Sequence, residues 1–131
     1  MKSIVTSGKR KTAIARATLK QGSGKVTINN LSLDAYEPAM ARLKLKEPLI
    51  LAGNDAGKVD ISVNVRGGGV MSQTDAARLA IGRALAEKYE KLKDVFTDYD
   101  RQLLVADVRR REVSKPNSQG NPRAKRQKSY R

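Results

Sequence analysis

Two stretches of this sequence concentrate groups that bind anions. "GKRKTAIARA", Gly8 to Ala17, clusters Lys9, Arg10, Lys11 and Arg16. Cations at that density along an extended edge bind phosphates, and they also keep an edge from pairing with another chain. No acidic residue occurs before Asp34, so nothing in the first third of the chain offsets them, and binding is the stronger expectation. "RGGGVMSQ", Arg66 to Gln73, places Gly67, Gly68 and Gly69 between a predicted strand and a predicted helix. Free backbone N–H groups with a helix dipole behind them hold a phosphate well. The same glycines also suit a tight strand-to-helix turn that needs positive φ. Neither this loop nor "GSGK", Gly22 to Lys25, is a nucleotide-binding P-loop. In the latter Val26 stands where a hydroxyl is required, and strands flank it, so it reads as a hairpin turn.

A third cationic segment closes the sequence. Arg109, Arg110, Arg111, Lys115, Arg123, Lys125, Arg126, Lys128 and Arg131 face one acid, Glu112. Pro116, Gly120 and Pro122 interrupt it, and no apolar run gives it a core. Such a segment reads as extended and disordered when alone, ordering on a polyanion. The chain therefore divides into a globular domain over 1–108 and a basic tail over 109–131.

Catalytic chemistry has little to work with. The sequence contains no histidine and no cysteine. That removes the commonest general base, thiol nucleophiles and thiolate metal sites. The acids of "YEKLKDVFTDYD" sit among lysines, and no nucleophile is paired with a base. No enzyme, metal or cofactor is expected.

The bulk numbers agree. Across 131 residues, Lys and Arg number 27 and Asp and Glu 13, a net charge of +14. That length suits one core. An excess of charge this large repels itself and calls for a polyanionic partner. Four Tyr, one Phe and no Trp leave few platforms for base stacking, so phosphate contact is the expected mode. The longest apolar run, "PLILAG", is too short to span a membrane, and the start lacks a signal-peptide core. A soluble, cytoplasmic protein is expected.

These groups need elements to hold them. "SIVTSG" predicts a short strand. "TAIARATLK" predicts a second, with imperfect alternation around Ile14 and Leu19, and "KVTIN" a third through Val26 and Ile28; joined by "QGSG", the latter two read as a hairpin. "LDAYEPAMARLKLK" has helical character, with Ala35, Met40 and Leu43 available for one face. Pro38 suits its first turn, and Pro48 ends or bends it. "LILAGNDAG" reads as a short apolar segment and loop. In "KVDISVNVRGGG", Val59, Ile61, Val63 and Val65 alternate with polar residues, so one face needs a helical cover. A helix from about Ser72 to Lys91 supplies it through Ala77, Ile81, Ala84, Leu85, Tyr89 and Leu92. Ser72 is its expected N-cap, with Asp75 three residues on. Arg78 and Arg83 fall off that stripe and can face phosphates. Lys88, Lys91 and Lys93 alternate with Glu87, Glu90 and Asp94, the pattern of a solvated helix. A short helix near "DYDRQLLVAD" closes the body. The fold class is α+β.

"GGGVMSQTDAARLAIGRAL", Gly67 to Leu85, resembles the signature of the ninth small-subunit ribosomal protein family. That pattern wants three glycines, small residues at Ser72, Ala76 and Ala80, and Gln at Gln73. It then wants Gly82, a basic residue at Arg83, Ala84 and an aliphatic at Leu85. "GKRKTAIARA" resembles the family's N-terminal strand, and "LLVADVRRRE" its final body segment. "QKSYR" resembles its ending in the archaeal and eukaryotic branch. The resemblance implies a two-layer α/β sandwich with a left-handed β-α-β crossover, like the second domain of the fifth small-subunit protein. It implies a body on small-subunit rRNA in the subunit head beside other head proteins, and a tail threading through RNA to the peptidyl site. There the matching end, Lys128, Ser129, Tyr130 and Arg131, would approach bound tRNA. No homo-oligomer is expected. Two other readings are a basic RNA-processing ribonucleoprotein subunit and an architectural DNA-binding protein.

Overall fold

Strict alternation decides the centre of the sheet. The computed structural model describes residues 3–36, 39–100 and 103–105. Its strands are β1 (Ile4–Arg10), β2 (Ala13–Gln21), β3 (Val26–Ile28), β4 (Leu31–Ser32) and β5 (Val59–Arg66); its helices are α1 (Ala39–Ala52), α2 (Val70–Lys88) and α3 (Lys91–Tyr99). In β5 the four alternate apolar residues are all buried, as their spacing predicts. In β2 the buried set is Ala13, Ala15, Ala17 and Leu19, while Ile14 is 50% exposed. The apolar face expected around Ile14 therefore lies on the opposite side of the strand.

Alanines suit that side because α2 packs against it closely. The helix brings Ala76, Ala77, Ala80 and Ala84 to the sheet, all buried. Gly8 in β1 has no room for a side chain, since a Cβ would strike the carbonyl of Ala76. The neighbouring Thr6 hydroxyl donates to the Ala80 carbonyl at 2.8 Å. Small residues on both surfaces thus let helix and strand backbones approach, and dispersion contacts reward that density.

The strand order is β1-β2-β5-β3-β4. β1 and β2 form an antiparallel hairpin, and β5 pairs antiparallel with β2 and parallel with β3. The expected hairpin of the second and third strands is corrected: β5 lies between them. An eight-residue strand with one face wholly apolar gains ladders on both edges, which the three-residue β3 could not offer β2. The Gly22–Lys25 loop crosses the start of β5, with Gly22 N–H donating to Lys58 O at 3.0 Å and Ile61 N–H to Lys25 O at 2.9 Å. A parallel β3–β5 pair needs a long crossover, and α1 provides it. β3 and β4 are joined by Asn29 and Asn30, with φ of 51° and 68°. Positive φ at both positions is what a two-residue type I′ hairpin requires.

The helices share one face of the sheet. α2 lies across β1, β2 and β5, and α1 packs alongside α2. α1 buries Ala41, Leu45, Pro48 and Ala52, one stripe at four- and three-residue steps. Met40 and Leu43, expected on its inner face, are 64% and 66% exposed. Ala35 belongs to a separate 3-10 turn, Leu33–Ala35. The helix runs through the buried Pro48 to Ala52 rather than ending there, so the expected "LILA" segment is its last turn. α2 begins at Val70 with Gly69 as N-cap, not at Ser72, and ends at Lys88. The closing helix is α3, which buries Leu92 and Phe96 and starts well before "DYDRQLLVAD". The result is an α+β sandwich of two layers, with the other face of the sheet open.

Candidate nucleic-acid interface

The two anion-binding stretches, far apart in sequence, meet at one end of the sheet. Ile14 pairs with Arg66 across β2 and β5, which brings the tip of the β1–β2 hairpin against the glycine loop. Gly67 and Gly68 have φ of 80° and 66°. A Cβ on Gly67 would lie 2.5 Å from the carbonyl oxygen of Thr12, and one on Gly68 would lie 3.2 Å from the Ala13 nitrogen. Both glycines are therefore demanded by the turn itself. Gly69 differs. Its φ of −95° and ψ of 177° suit any residue, and a Cβ there would have no atom within 4 Å. No clash and no backbone strain require glycine here; its local role is that of the α2 N-cap, where glycine is favoured over alanine.

The α2 N-terminus behind Gly69 carries no side-chain cap. Gln73 braces the loop: its side-chain Nε2 donates to Gly67 O at 3.1 Å, and its backbone N–H donates to Gly69 O at 2.9 Å. Lys9, Lys11 and Arg66 are exposed around this loop. Lys11 holds φ of 56° at the hairpin tip, a left-handed conformation uncommon for a residue with a Cβ. Arg10 approaches Asp75 of α2 at 3.8 Å, and Lys44 of α1 reaches the same carboxylate at 3.5 Å. Arg16 stands one row further along the sheet, opposite Asn64.

The structure gives Arg78 and Arg83 internal work. The Arg78 side chain is only 12% exposed and binds Glu47 of α1 and Asp100 beyond α3. Its Nε donates to Glu47 Oε2 at 3.0 Å. It ties three helical segments together instead of facing outward. Arg83 donates from Nε to Leu104 O at 2.9 Å and from Nη1 to Ser7 O at 3.0 Å. Next to it, a Cβ on Gly82 would sit 2.5 Å from Leu103 O. Gly82 and Arg83 together dock the segment that leads into the tail. Sequence spacing could not reveal this, because the partners come from other elements.

The "GSGK" loop does hold an anion, and the chain supplies it. Ser23 and Lys25 N–H groups donate to Asp60 Oδ1 at 3.0 and 2.9 Å. A Cβ on Gly22 would collide with that carboxylate. The backbone N–H of Lys25, then that of Ser23, hold the Asp60 carboxyl below its ordinary pKa; desolvation opposes them, and the Lys25 charge adds to the lowering. Asn29 was a further residue the sequence did not single out. Its side-chain amide donates to Val65 O at 3.2 Å and accepts from Val65 N–H at 2.8 Å, continuing the β3–β5 ladder past the end of β3.

Arg109, Arg110, Arg111, Lys115, Arg123, Lys125, Arg126, Lys128, Ser129, Tyr130 and Arg131 lie outside the described residues. Among the described residues, no helix is long and apolar enough to cross a membrane.

Residues 8–131 match the model of a family described as Ribosomal protein S9/S16. The chain is 54% identical over 134 residues to a protein of Methanococcus vannielii named small ribosomal subunit protein uS9, covering all of both chains. A protein of Methanococcus maripaludis with the same name is also 54% identical over its full length, and one of Methanothrix thermoacetophila is 50% identical over 133 residues. With the glycine loop, the docked Gly82–Arg83 pair and this full-length similarity in hand, the chain belongs to the Ribosomal protein S9/S16 family.

Proposed function

We propose that this chain is a structural component of the small ribosomal subunit, holding rRNA at the junction of its hairpin tip and glycine loop. Its membership of a family of ribosomal proteins supports a structural, non-enzymatic role in the ribosome, and a cytoplasmic location is part of this reading. The observation that carries the reading is Gly69. This N-cap glycine has open space in front of it and no side-chain cap, among exposed cations, so a ligand can approach the helix N–H groups there. An RNA backbone is the partner such a surface suits, because N–H donors and cations both complement phosphate.

In this reading Lys9, Lys11, Arg16 and Arg66 contact phosphates, with Arg10 beside them, and Gly68 and Gly69 let the backbone approach. Gln73, Arg78 and Arg83 act by position. The tail cations from Arg109 to Arg126 neutralise phosphates where RNA strands crowd, and Lys128 to Arg131 reach the peptidyl-site tRNA. A folded domain could not enter such a gap, whereas a tail orders as it binds. Recognition is by shape and backbone. Head proteins of the subunit are its neighbours.

The test is sedimentation of tagged full-length chain at moderate salt. Co-migration with small subunits, and preference for small-subunit rRNA over duplex DNA, are expected. Protein that runs free of subunits and binds duplex DNA better would overturn the reading in favour of an architectural DNA-binding role.

A further inference from the structure

We infer that the face of the sheet turned away from the helices is a second rRNA surface, where hydroxyl and amide side chains receive the sugar–phosphate backbone. The inference rests on the chain being an rRNA-binding protein and extends the site from Arg16 and Arg66 beside the glycine loop along the rest of the open face.

Pairing register builds this face. Because alternate side chains share a face, the residues opposite each other across three strands line up in rows. One row is Ser7, Arg16 and Asn64; the next is Val5, Thr18, Ser62 and, on the parallel strand β3, Thr27. The helices cover only the other face, so these seven side chains look outward into a shallow concavity, six of them polar. One part, lined by Thr18, Thr27 and Ser62 among others, has a volume of about 490 Å³. An adjoining part beside Arg16, Asn64 and Arg66 adds about 150 Å³.

Charge selects the occupant. Lys9, Lys20 and Arg66 border the rows and Arg16 stands within one, against one carboxylate, Asp60. That carboxylate is already wrapped by the N–H groups of Ser23 and Lys25. Arg16 and Arg66 have no acidic partner among the described residues. The chain's own tail cannot be the cover, since nine cations against one acid would be brought onto a cationic face. A second copy is repelled for the same reason. Hydroxyls and an amide in rows between cations fit RNA: cations meet phosphates, while Ser, Thr and Asn exchange hydrogen bonds with 2′-hydroxyls. The strands present no aromatic side chain there, so the contact is to backbone and sugar rather than stacked bases.

Two measurements on the full-length chain test this. In the first, Ser62→p-benzoylphenylalanine protein is assembled into small subunits and irradiated. A crosslink to rRNA is expected; a crosslink to protein alone, or none, overturns the inference. In the second, a small-subunit rRNA transcript is the probe. Lys20→Gln, a cation of the open face outside the glycine-loop set, should lower affinity and reduce the salt slope by about one. Thr18→Val with Ser62→Val should lower affinity roughly threefold to tenfold for each hydrogen bond lost, with the salt slope unchanged. It should also narrow the preference for RNA over single-stranded DNA of the same sequence. Unchanged affinity in both the Lys20 variant and the Thr18 and Ser62 double variant overturns the inference. Failure of the unaltered chain to enter subunits would instead defeat the proposed function. Normal entry, with Gly69→Ala weakening rRNA binding and the open-face variants inert, would defeat this inference alone.

Discussion

Gly67 stands against the carbonyl of Thr12, at a distance that leaves no space for a Cβ. Two residues along, Gly69 faces open space. One sequence motif therefore contains glycines kept for different reasons. Gly67→Ala would place a side chain at φ of 80° and against a backbone atom that cannot rotate away. It should lower the unfolding free energy by at least about 1–2 kcal/mol, the cost of the left-handed region alone. Gly69→Ala should cost about 1 kcal/mol or less, the N-cap preference for glycine over alanine, with no clash or left-handed strain added. Its effect should appear as weaker rRNA binding. Denaturant unfolding and filter binding of the two variants separate the cases; equal loss of stability would count against the distinction.

Lys11 offers the converse case. Its φ of 56° costs stability that a glycine would not incur. Lys11→Gly should raise the unfolding free energy by up to about 1 kcal/mol, after glycine's larger chain entropy offsets part of the gain. The same change should reduce rRNA affinity and lower the salt slope by about one. A variant that is more stable and binds as well as the original would show that the strained lysine has no role in binding.

Asp60 sets an acid dependence. Its carboxyl titrates below its ordinary value because the folded loop donates N–H groups to the ionised form. A carboxyl with a depressed folded pKa contributes stability that is fully present above its unfolded value, about 3.9, and is lost as pH falls through the folded value. Asp60→Asn should lower stability at neutral pH and flatten its decline below about pH 4. Thermal melting from pH 3 to 7 reads both effects. An unchanged slope in the variant would show that the loop does not depend on the charge.

Arg78 should behave as a fold residue. Its guanidinium joins α1 to the segment after α3 through two carboxylates. Glu47 and Asp100 are themselves 33% and 38% exposed, so solvent weakens both pairs. Arg78→Met should destabilise by about 1–2 kcal/mol, well short of a fully buried pair. Salt slope in rRNA binding should not change. A slope reduced by one with stability intact would return Arg78 to the binding surface.

How much of this was legible depended on whether a residue's partner lay near it in sequence. β5 was clear because alternation is local and complete. In β2 the large Ile14 outweighed three small alanines, and only the close approach of α2 explains why alanines face inward. The separation of β2 from β3 follows from a strand that begins at Val59, and no pattern within "QGSG" announces it. Arg78 and Arg83 lay off the apolar stripe as read, yet their acceptors come from residues 21 to 76 positions away. The glycine loop was recognisable as a motif, but the different demands on Gly67 and Gly69 appear only with Thr12 in place.

The tail extends the same logic to tRNA. Its cations cannot be held by a core of their own, so whatever they contribute must come from the partner they meet. Arg131 can grip a phosphate bidentately, while Lys128 acts as a point charge. Gly82 and Arg83 dock Leu103 and Leu104 onto the body, upstream of the cations, and in the proposed function the body has its own rRNA contacts at the glycine loop. Deleting Lys128 to Arg131 should therefore leave entry into small subunits intact while weakening peptidyl-site tRNA binding. The loss should shrink as salt rises, with the slope falling by about 0.7 to 0.9 for each phosphate contact removed. Equilibrium binding of tRNA to reconstituted subunits at several salt concentrations measures it. Truncated subunits with unaltered affinity and slope would show that these four residues do not reach the tRNA.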